Sequence, residues 1–382
     1  MSDVYIVGID MVPFGRYPER TLTGLGAEAA LMALDDAGLT INDMQAFYCG
    51  NLLQSMNLIG QRILGEIGMT GIPVSNVANA CATGATAFRE GVIAVKSGMC
   101  DLVLAVGVEQ LGKGLLGGTS GNFNPEGIFG SFSNPALFAE IGMEHAAKYG
   151  TTFEQFAKVA VKNHHHATFN PKAMYRKETP LEMVMASEMM AYPNTKLMCS
   201  ANVDGAAAAV IASEEAVNRL GLRDRAVRVR ASILATSPFT EYGLSRSDFN
   251  EATRFAAKQA YEVAGVSPTD ISMVELHDCF ATAELVHYEN LGICKEGEAG
   301  HMIDSGATAL GGRIPVNVSG GLLSKGHPLG ATGIANLYEI SLHLRERAGE
   351  RQVKGARLGM THVCGGAPDS GAVCAIHILE KC

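Results

Sequence analysis

The sequence predicts an α/β protein made of two α/β/α halves, with a helical insertion in the first. Three observations carry that prediction. Short apolar runs alternate with helix-spaced segments through residues 4–109, the alternation breaks over 110–196, and it resumes and repeats its plan from 197 onward. With 382 residues, 47% of them hydrophobic, the chain is long enough for two or three domains with ample core.

Val4–Ile9 reads as a buried strand, and Leu22–Ala37 as a helix stopped by Gly38. Ala46–Cys49 is a strand, Ile59–Ile67 a helix ending at Gly68, Pro73–Ala78 a strand, Cys81–Lys96 a helix and Leu102–Val108 a strand. This alternation predicts a parallel sheet with helices on both faces. Residues 110–135 are rich in Gly, Asn, Ser and Pro, Met143–Phe169 reads as one polar helix, and Met174–Tyr192 carries no strand signal. Segment 110–196 is therefore read as an inserted cap, the kind of insertion that covers a ligand site. Gly205–Ser213 then completes the first half.

The second half runs strand Val227–Ala235, helix Ser247–Ala264 opened by Ser-Asp and closed by Gly265, strand Ser272–Leu276 and helix Ala281–Leu291. Strand Val316–Val318, helix Gly330–Arg347 and strands Arg357–His362 and Ala372–Leu379 follow. The expected boundaries are 1–109 with 197–215 for the first half, 110–196 for the cap and 216–382 for the second half.

A net charge of −9 weighs against nucleic-acid binding. Nine cysteines without a CxxC pair argue against a zinc site, so no metal is expected, and they suit a reducing compartment. The N-terminus lacks a basic-then-apolar leader, Glu380-Lys381-Cys382 is not a peroxisomal address, and no apolar run approaches the roughly 18 residues of a membrane span. A cytoplasmic protein is the expectation.

Chemistry concentrates at three places. Cys81 lies in Asn79-Ala80-Cys81-Ala82-Thr83-Gly84-Ala85, between a strand and a helix. A helix start offers unpaired N–H groups and a positive dipole end, which favour a thiolate and can hold an oxyanion. His327, in Lys325-Gly326-His327-Pro328, sits on a Gly-rich turn where it is placed to accept a thiol proton. His277 follows the strand Val274-Glu275-Leu276 and is placed to hydrogen-bond an enolate or thioester oxygen. Each alone reads as a buried cysteine or a satisfied histidine; together they suggest one acyl-transfer site.

The motifs resemble the thiolases, and within them the sterol-carrier-protein branch. The likeness runs nearly end to end: the Cys81 box, Asp204-Gly205-Ala206-Ala207-Ala208, the tetrad His277-Asp278-Cys279-Phe280 where other thiolases carry Asn-Glu-Ala-Phe, and Ser319–Gly333. The resemblance implies a five-layered fold with a loop-domain insertion, and an enzyme that cleaves 3-ketoacyl-CoA or condenses acyl-CoA units. It implies that Cys81 takes the acyl group, that His327 activates it, and that His327 and His277 form one oxyanion hole. The second hole would pair the Cys81 N–H with one from Gly365-Gly366. A second cysteine would move the proton at the acetyl methyl group. Both Cys279 of the tetrad and Cys364 of Cys364-Gly365-Gly366 are candidates, and Cys279 is preferred because the branch-specific tetrad is intact. Coenzyme A would be a substrate, with no tightly bound cofactor, and His145 is a candidate for lining its tunnel. Lys162 and Lys172 are placed near a phosphate, and His164-His165-His166 on a solvated face. A homodimer is implied. The alternatives are a retro-aldolase or acyltransferase that depends on a small nucleotide-binding-fold partner, a ketoacyl synthase, and a non-catalytic lipid-transfer protein.

Overall fold

The computed structural model describes residues 3–111, 133–239, 248–367 and 371–382. Strands β1 (Val4–Met11), β2 (Ala46–Gly50), β3 (Val74–Val77), β4 (Leu102–Glu109) and β7 (Gly205–Ser213) belong to the first half. Strands β8 (Val227–Thr236), β9 (Met273–Glu275), β10 (Leu358–Ala367) and β11 (Gly371–Lys381) belong to the second, and β5 (Met189–Ala191) pairs with β6 (Asn194–Thr195) apart from them. The nine main strands lie in the order β3-β2-β4-β7-β1-β8-β11-β10-β9.

That order encodes a duplication. In the first half the spatial sequence is third, second, fourth, fifth, first. In the second half, with Val316 bridged to Val274 as the third element, the same sequence appears in mirror order outward from β8. The two first strands meet edge to edge through only Tyr5↔Arg228 and Ile6↔Val227. The sheet is mixed, contrary to the all-parallel expectation. β2 pairs β3 and β4 in parallel, but β7 runs antiparallel to both β4 and β1, and β11 runs antiparallel to β10 and β8. A direct β10–β11 return needs no crossover helix, so alternation with helices does not by itself specify parallel pairing.

Helices make three further layers. Helices α1 (Leu22–Ala37) and α2 (Ile59–Ile67) cover one outer face, with Leu25, Ala29 and Ile63 against Val7, Leu104 and Val210. Helices α3 (Thr83–Lys96) and α12 (Thr332–Leu344) fill the middle, where Phe88, Val92, Ile334 and Leu337 meet Ile6, Val103, Ile211 and Met273. On the far side, α8 (Phe249–Ala264) and α9 (Ala281–Asn290) pack Ala256, Ala260, Leu285 and Tyr288 on Val274, Met360 and Ile376.

The expected helix Met143–Phe169 is two: α4 (Asn134–Tyr149) and α5 (Phe153–Thr168). Gly150 breaks them at φ 76, and Thr152 with Gln155 forms a capping box that starts α5 afresh. A short strand, β5, occupies part of the Met-rich segment where none was expected, just after the short helix α6 (Leu181–Ala186); α7 (Glu214–Leu220) and α10 (Ala299–Asp304) are likewise short. The helix expected from Ser247 begins at Phe249 with Asp248 as its N-cap, while Ser247 lies outside the described residues.

The two central helices meet through glycine. A Cβ on Gly84 would stand 2.5 Å from the Gly330 carbonyl oxygen, and one on Gly107 of β4 would collide with the same oxygen. We expect Gly107→Ala to destabilise the fold by roughly 1–3 kcal/mol through overpacking. Thermal unfolding would read this as a lowered midpoint; an unchanged midpoint would mean the contact is slack.

Candidate active site

The Cys81 turn is wound around one hydroxyl. Thr83 Oγ1 accepts from the Asn79 N–H at 2.8 Å and donates to the Ala80 carbonyl at 2.6 Å. Ala80 takes φ 46, a left-handed conformation unusual for a residue with a Cβ, and Cys81 sits just before the first turn of α3. Gly365 packs directly beneath: a Cβ there would lie 2.6 Å from the Cys81 nitrogen.

His327 arrives on the loop before α12. Its Nδ1 lies 2.8 Å from Thr332 Oγ1, whose own hydroxyl donates to the Pro328 carbonyl at 3.0 Å. The hydroxyl has a single proton, so it must accept from His327 Nδ1–H. His327 Nε2 therefore carries a lone pair, and it has no protein partner. His277 stands edge-on to it, ring centroids 5.1 Å apart at 76°. The Cys81 sulfur and one nitrogen from each ring lie within 4.8 Å of one another.

The tetrad aspartate builds this meeting. Buried Asp278 accepts from the backbone N–H of Leu322 at 2.7 Å and of Leu323 at 3.3 Å, tying the His277–Phe280 segment to the Gly-rich turn of helix α11 (Gly321–Ser324). Glu275 holds the same turn through Ser319, by N–H at 3.0 Å and hydroxyl at 2.5 Å.

All three reactive groups are neutral at rest. Burial pushes the Cys81 thiol up to about 12, against the pull of its own backbone N–H. Burial, then the neighbouring Lys325 charge, pushes His327 down to about 3; burial and the nearby histidines hold His277 well below the usual range. The thiolate expected at a helix start is thus not the resting state, because desolvation outweighs the dipole.

These groups line a cavity of about 880 Å³ together with Cys279, Cys364, Gly365 and Gly366. Both second-cysteine candidates are therefore at the site. Exposed Arg16, Arg176, Lys177 and Lys196 also line it, with Glu188 3.6 Å from Lys196, and the rim is basic on balance.

Other expectations need correction. His145 does not line the cavity; it is buried, with Nδ1 on Thr151 at 2.8 Å and Nε2 on Glu289 at 3.0 Å. His164 and His166 are buried rather than solvated, and only His165 faces out. Lys162 is locked against Glu284 at 2.8 Å, and Lys172 against Asp10, so neither is free for a phosphate.

Sequence reading passed over Thr332, which orients His327, and Glu109. The buried Glu109 carboxylate accepts from Asn51 Nδ2 at 2.9 Å and from the Leu52 N–H at 3.0 Å, fixing the loop whose Leu52 and Leu53 line the cavity. An acidic residue ending an apolar strand was the available signal.

Family models match over residues 4–197 (thiolase, N-terminal domain) and 241–380 (thiolase C-terminal domain-like). The chain belongs to the thiolase family. It is an acyltransferase of the sterol-carrier-protein branch. Sterol carrier protein 2 of Gallus gallus is 40% identical over 380 residues, covering 95% of this chain and 69% of that one. An acetyl-CoA acetyltransferase of Methanothermobacter thermautotrophicus is 38% identical over 396 residues, covering 100% of each. Among solved structures, an Ltp2-ChsH2(DUF35) aldolase superposes with TM-score 0.81 at 26% identity, covering 99% of this chain and 98% of that one.

A thiol near 12 predicts slow alkylation of this thiolase's Cys81 at neutral pH, rising about tenfold per pH unit as the thiolate fraction grows. Iodoacetamide labelling read by mass spectrometry from roughly pH 7 to pH 10 checks it. A plateau near neutrality would instead mean a resting thiolate–imidazolium pair.

Proposed function

We propose that this protein is a thiolase that exchanges acyl groups between carbon and coenzyme A through a thioester on Cys81. The observation that carries the reading is the meeting of one thiol and two imidazoles in one cavity, with the free lone pair of His327 on Nε2. In cleavage, the Cys81 proton passes to His327 Nε2 and the sulfur attacks the 3-keto carbon of a 3-ketoacyl-CoA. His277 and the protonated His327 face the developing oxyanion. The Cα–Cβ bond breaks, its electron pair forms the acetyl-CoA enolate, and Cys279 or Cys364 supplies the proton. Coenzyme A then takes the acyl group, its thiol proton refilling the second cysteine while His327 returns its proton to Cys81. Condensation is the reverse.

Coenzyme A acts here as substrate. The basic rim of Arg16, Arg176, Lys177 and Lys196 suits its phosphates in a chain that is otherwise acidic. Residues 110–196 serve as an inserted loop domain whose described part supplies much of that rim. We also propose a homodimer through the first half: among the described residues β3 ends the sheet with one edge unpaired, and Met56, Leu58 and Met69 nearby are exposed. Nine free cysteines support a reducing, cytoplasmic setting. Among the described residues no helix is long and apolar enough to cross a membrane.

A second reading rests on the likeness to the DUF35-bound aldolase: activity that needs a small partner protein. Cleavage of acetoacetyl-CoA by free coenzyme A, followed as loss of enolate absorbance, separates the two. Turnover by the isolated chain supports the thiolase reading, and turnover only beside a partner supports the second.

Cys81→Ser should abolish acyl-enzyme formation, and mass spectrometry finding the acyl group elsewhere on that variant would falsify the assignment. Thr332→Val should leave the His327 tautomer unfixed and lower kcat by about tenfold, the loss of one hydrogen bond, with KM nearly unchanged. A KM-only effect would place Thr332 in binding.

A further inference from the structure

Cys364 has a partner that Cys279 lacks. Its sulfur lies 3.7 Å from His287 Nε2 on α9. Which nitrogen of His287 bears the proton follows from its other neighbour. The Asn290 Nδ2 amide can only donate; it gives one N–H to Asn250 Oδ1 at 2.9 Å and directs the other at His287 Nδ1 at 3.3 Å. Nδ1 is thus an acceptor, and the neutral ring carries its proton on Nε2, aimed at the Cys364 sulfur. Burial, reinforced by the Arg254 charge, pushes His287 down to about 3 and keeps that ring neutral.

A second ring braces the first. His362 stands 4.6 Å from His287 at 67°, accepts the His277 N–H on Nδ1 at 3.4 Å, and meets Thr253 Oγ1 through Nε2 at 3.1 Å. His287, His362 and Cys364 lie close enough to hold a cation. Both nitrogens of His362 and one of His287 are already engaged, so the cluster reads as a hydrogen-bonded network. Around Cys279, among the described residues, no side chain donates to the sulfur, and only the Phe280 backbone N–H approaches it.

We propose, resting on the thiolase reading above, that Cys364 is the second proton carrier and that His287 is its positioning residue, donating Nε2–H to the sulfur. In cleavage, the S–H bond of Cys364 breaks as its proton moves to the enolate carbon, and the electron pair left on sulfur accepts the His287 hydrogen bond. In condensation, the same thiolate takes a proton from the acetyl methyl group. His287 itself neither gains nor loses a proton.

The test separates the two half-reactions. Acetyl-CoA is incubated with the full chain in D2O; Cys81 acetylation is read by mass spectrometry and exchange of the acetyl methyl protons by NMR. His287→Leu and Cys364→Ser should each slow exchange at least about tenfold, the worth of a hydrogen bond to a charged sulfur, while Cys81 is still acetylated, because water can protonate the departing coenzyme A thiolate but cannot take a proton from the acetyl methyl group. His287→Gln, which returns an N–H at similar reach, should restore most of the exchange. Exchange lost in Cys279→Ser but kept in Cys364→Ser and His287→Leu overturns the proposal, as does His287→Leu losing acetylation and exchange in equal measure. A wild-type chain that never acetylates Cys81 overturns the acyl-transfer reading first and this inference with it.

Discussion

The structure depends on a backbone contact that only glycine permits. The Gly330 carbonyl is wedged between Gly84 at the start of α3 and Gly107 on β4. Any side chain there would push α12 away from α3, and with it the loop that carries His327. The thiol and its base reach one another because two helices approach closer than ordinary residues allow. Gly365 beneath Cys81 extends the same logic to the floor of the site.

Around that contact the protein keeps its reactive groups uncharged. Desolvation raises the thiol and lowers both imidazoles, so the free site holds no ion pair to be broken when substrate arrives. The charges are placed one shell further out, where Glu275 faces Lys325 at 3.5 Å and Glu284 faces Lys162 at 2.8 Å. Those buried pairs clamp the Gly-rich turn and the tetrad helix without entering the cavity. Proton movement then occurs among neutral partners at short range, which suits a reaction that forms and quenches an enolate.

Much of this was legible in the sequence. Cys81, His277 and His327 announced themselves because each sits where an apolar run gives way to a Gly-rich turn or a helix start. The duplication was legible because the strand–helix alternation restarts. Strand direction was not, because β7 and β10–β11 look the same in sequence whether they run parallel or antiparallel. The fate of His145, His164 and Lys162 was hidden for another reason: polar residues at helical spacing read as a wet face, and only their distant partners Glu289, Ser324 and Glu284 show them turned inward. Thr332 and His287 act through neighbours four and three residues away on their own segments, Pro328 and Asn290, so their roles surface only once each proton is assigned.

The edge-to-edge joint between β1 and β8 is short, yet the working groups straddle it. The sulfur comes from the segment after the third strand of one half. His327 comes from the matching segment of the other, and His277 from the end of that half's second strand. Neither repeat contains a complete reaction centre. The chemistry is therefore a property of the seam: either half alone would carry its part of the site without the groups that must meet it, and would leave its face of the shared middle layer uncovered.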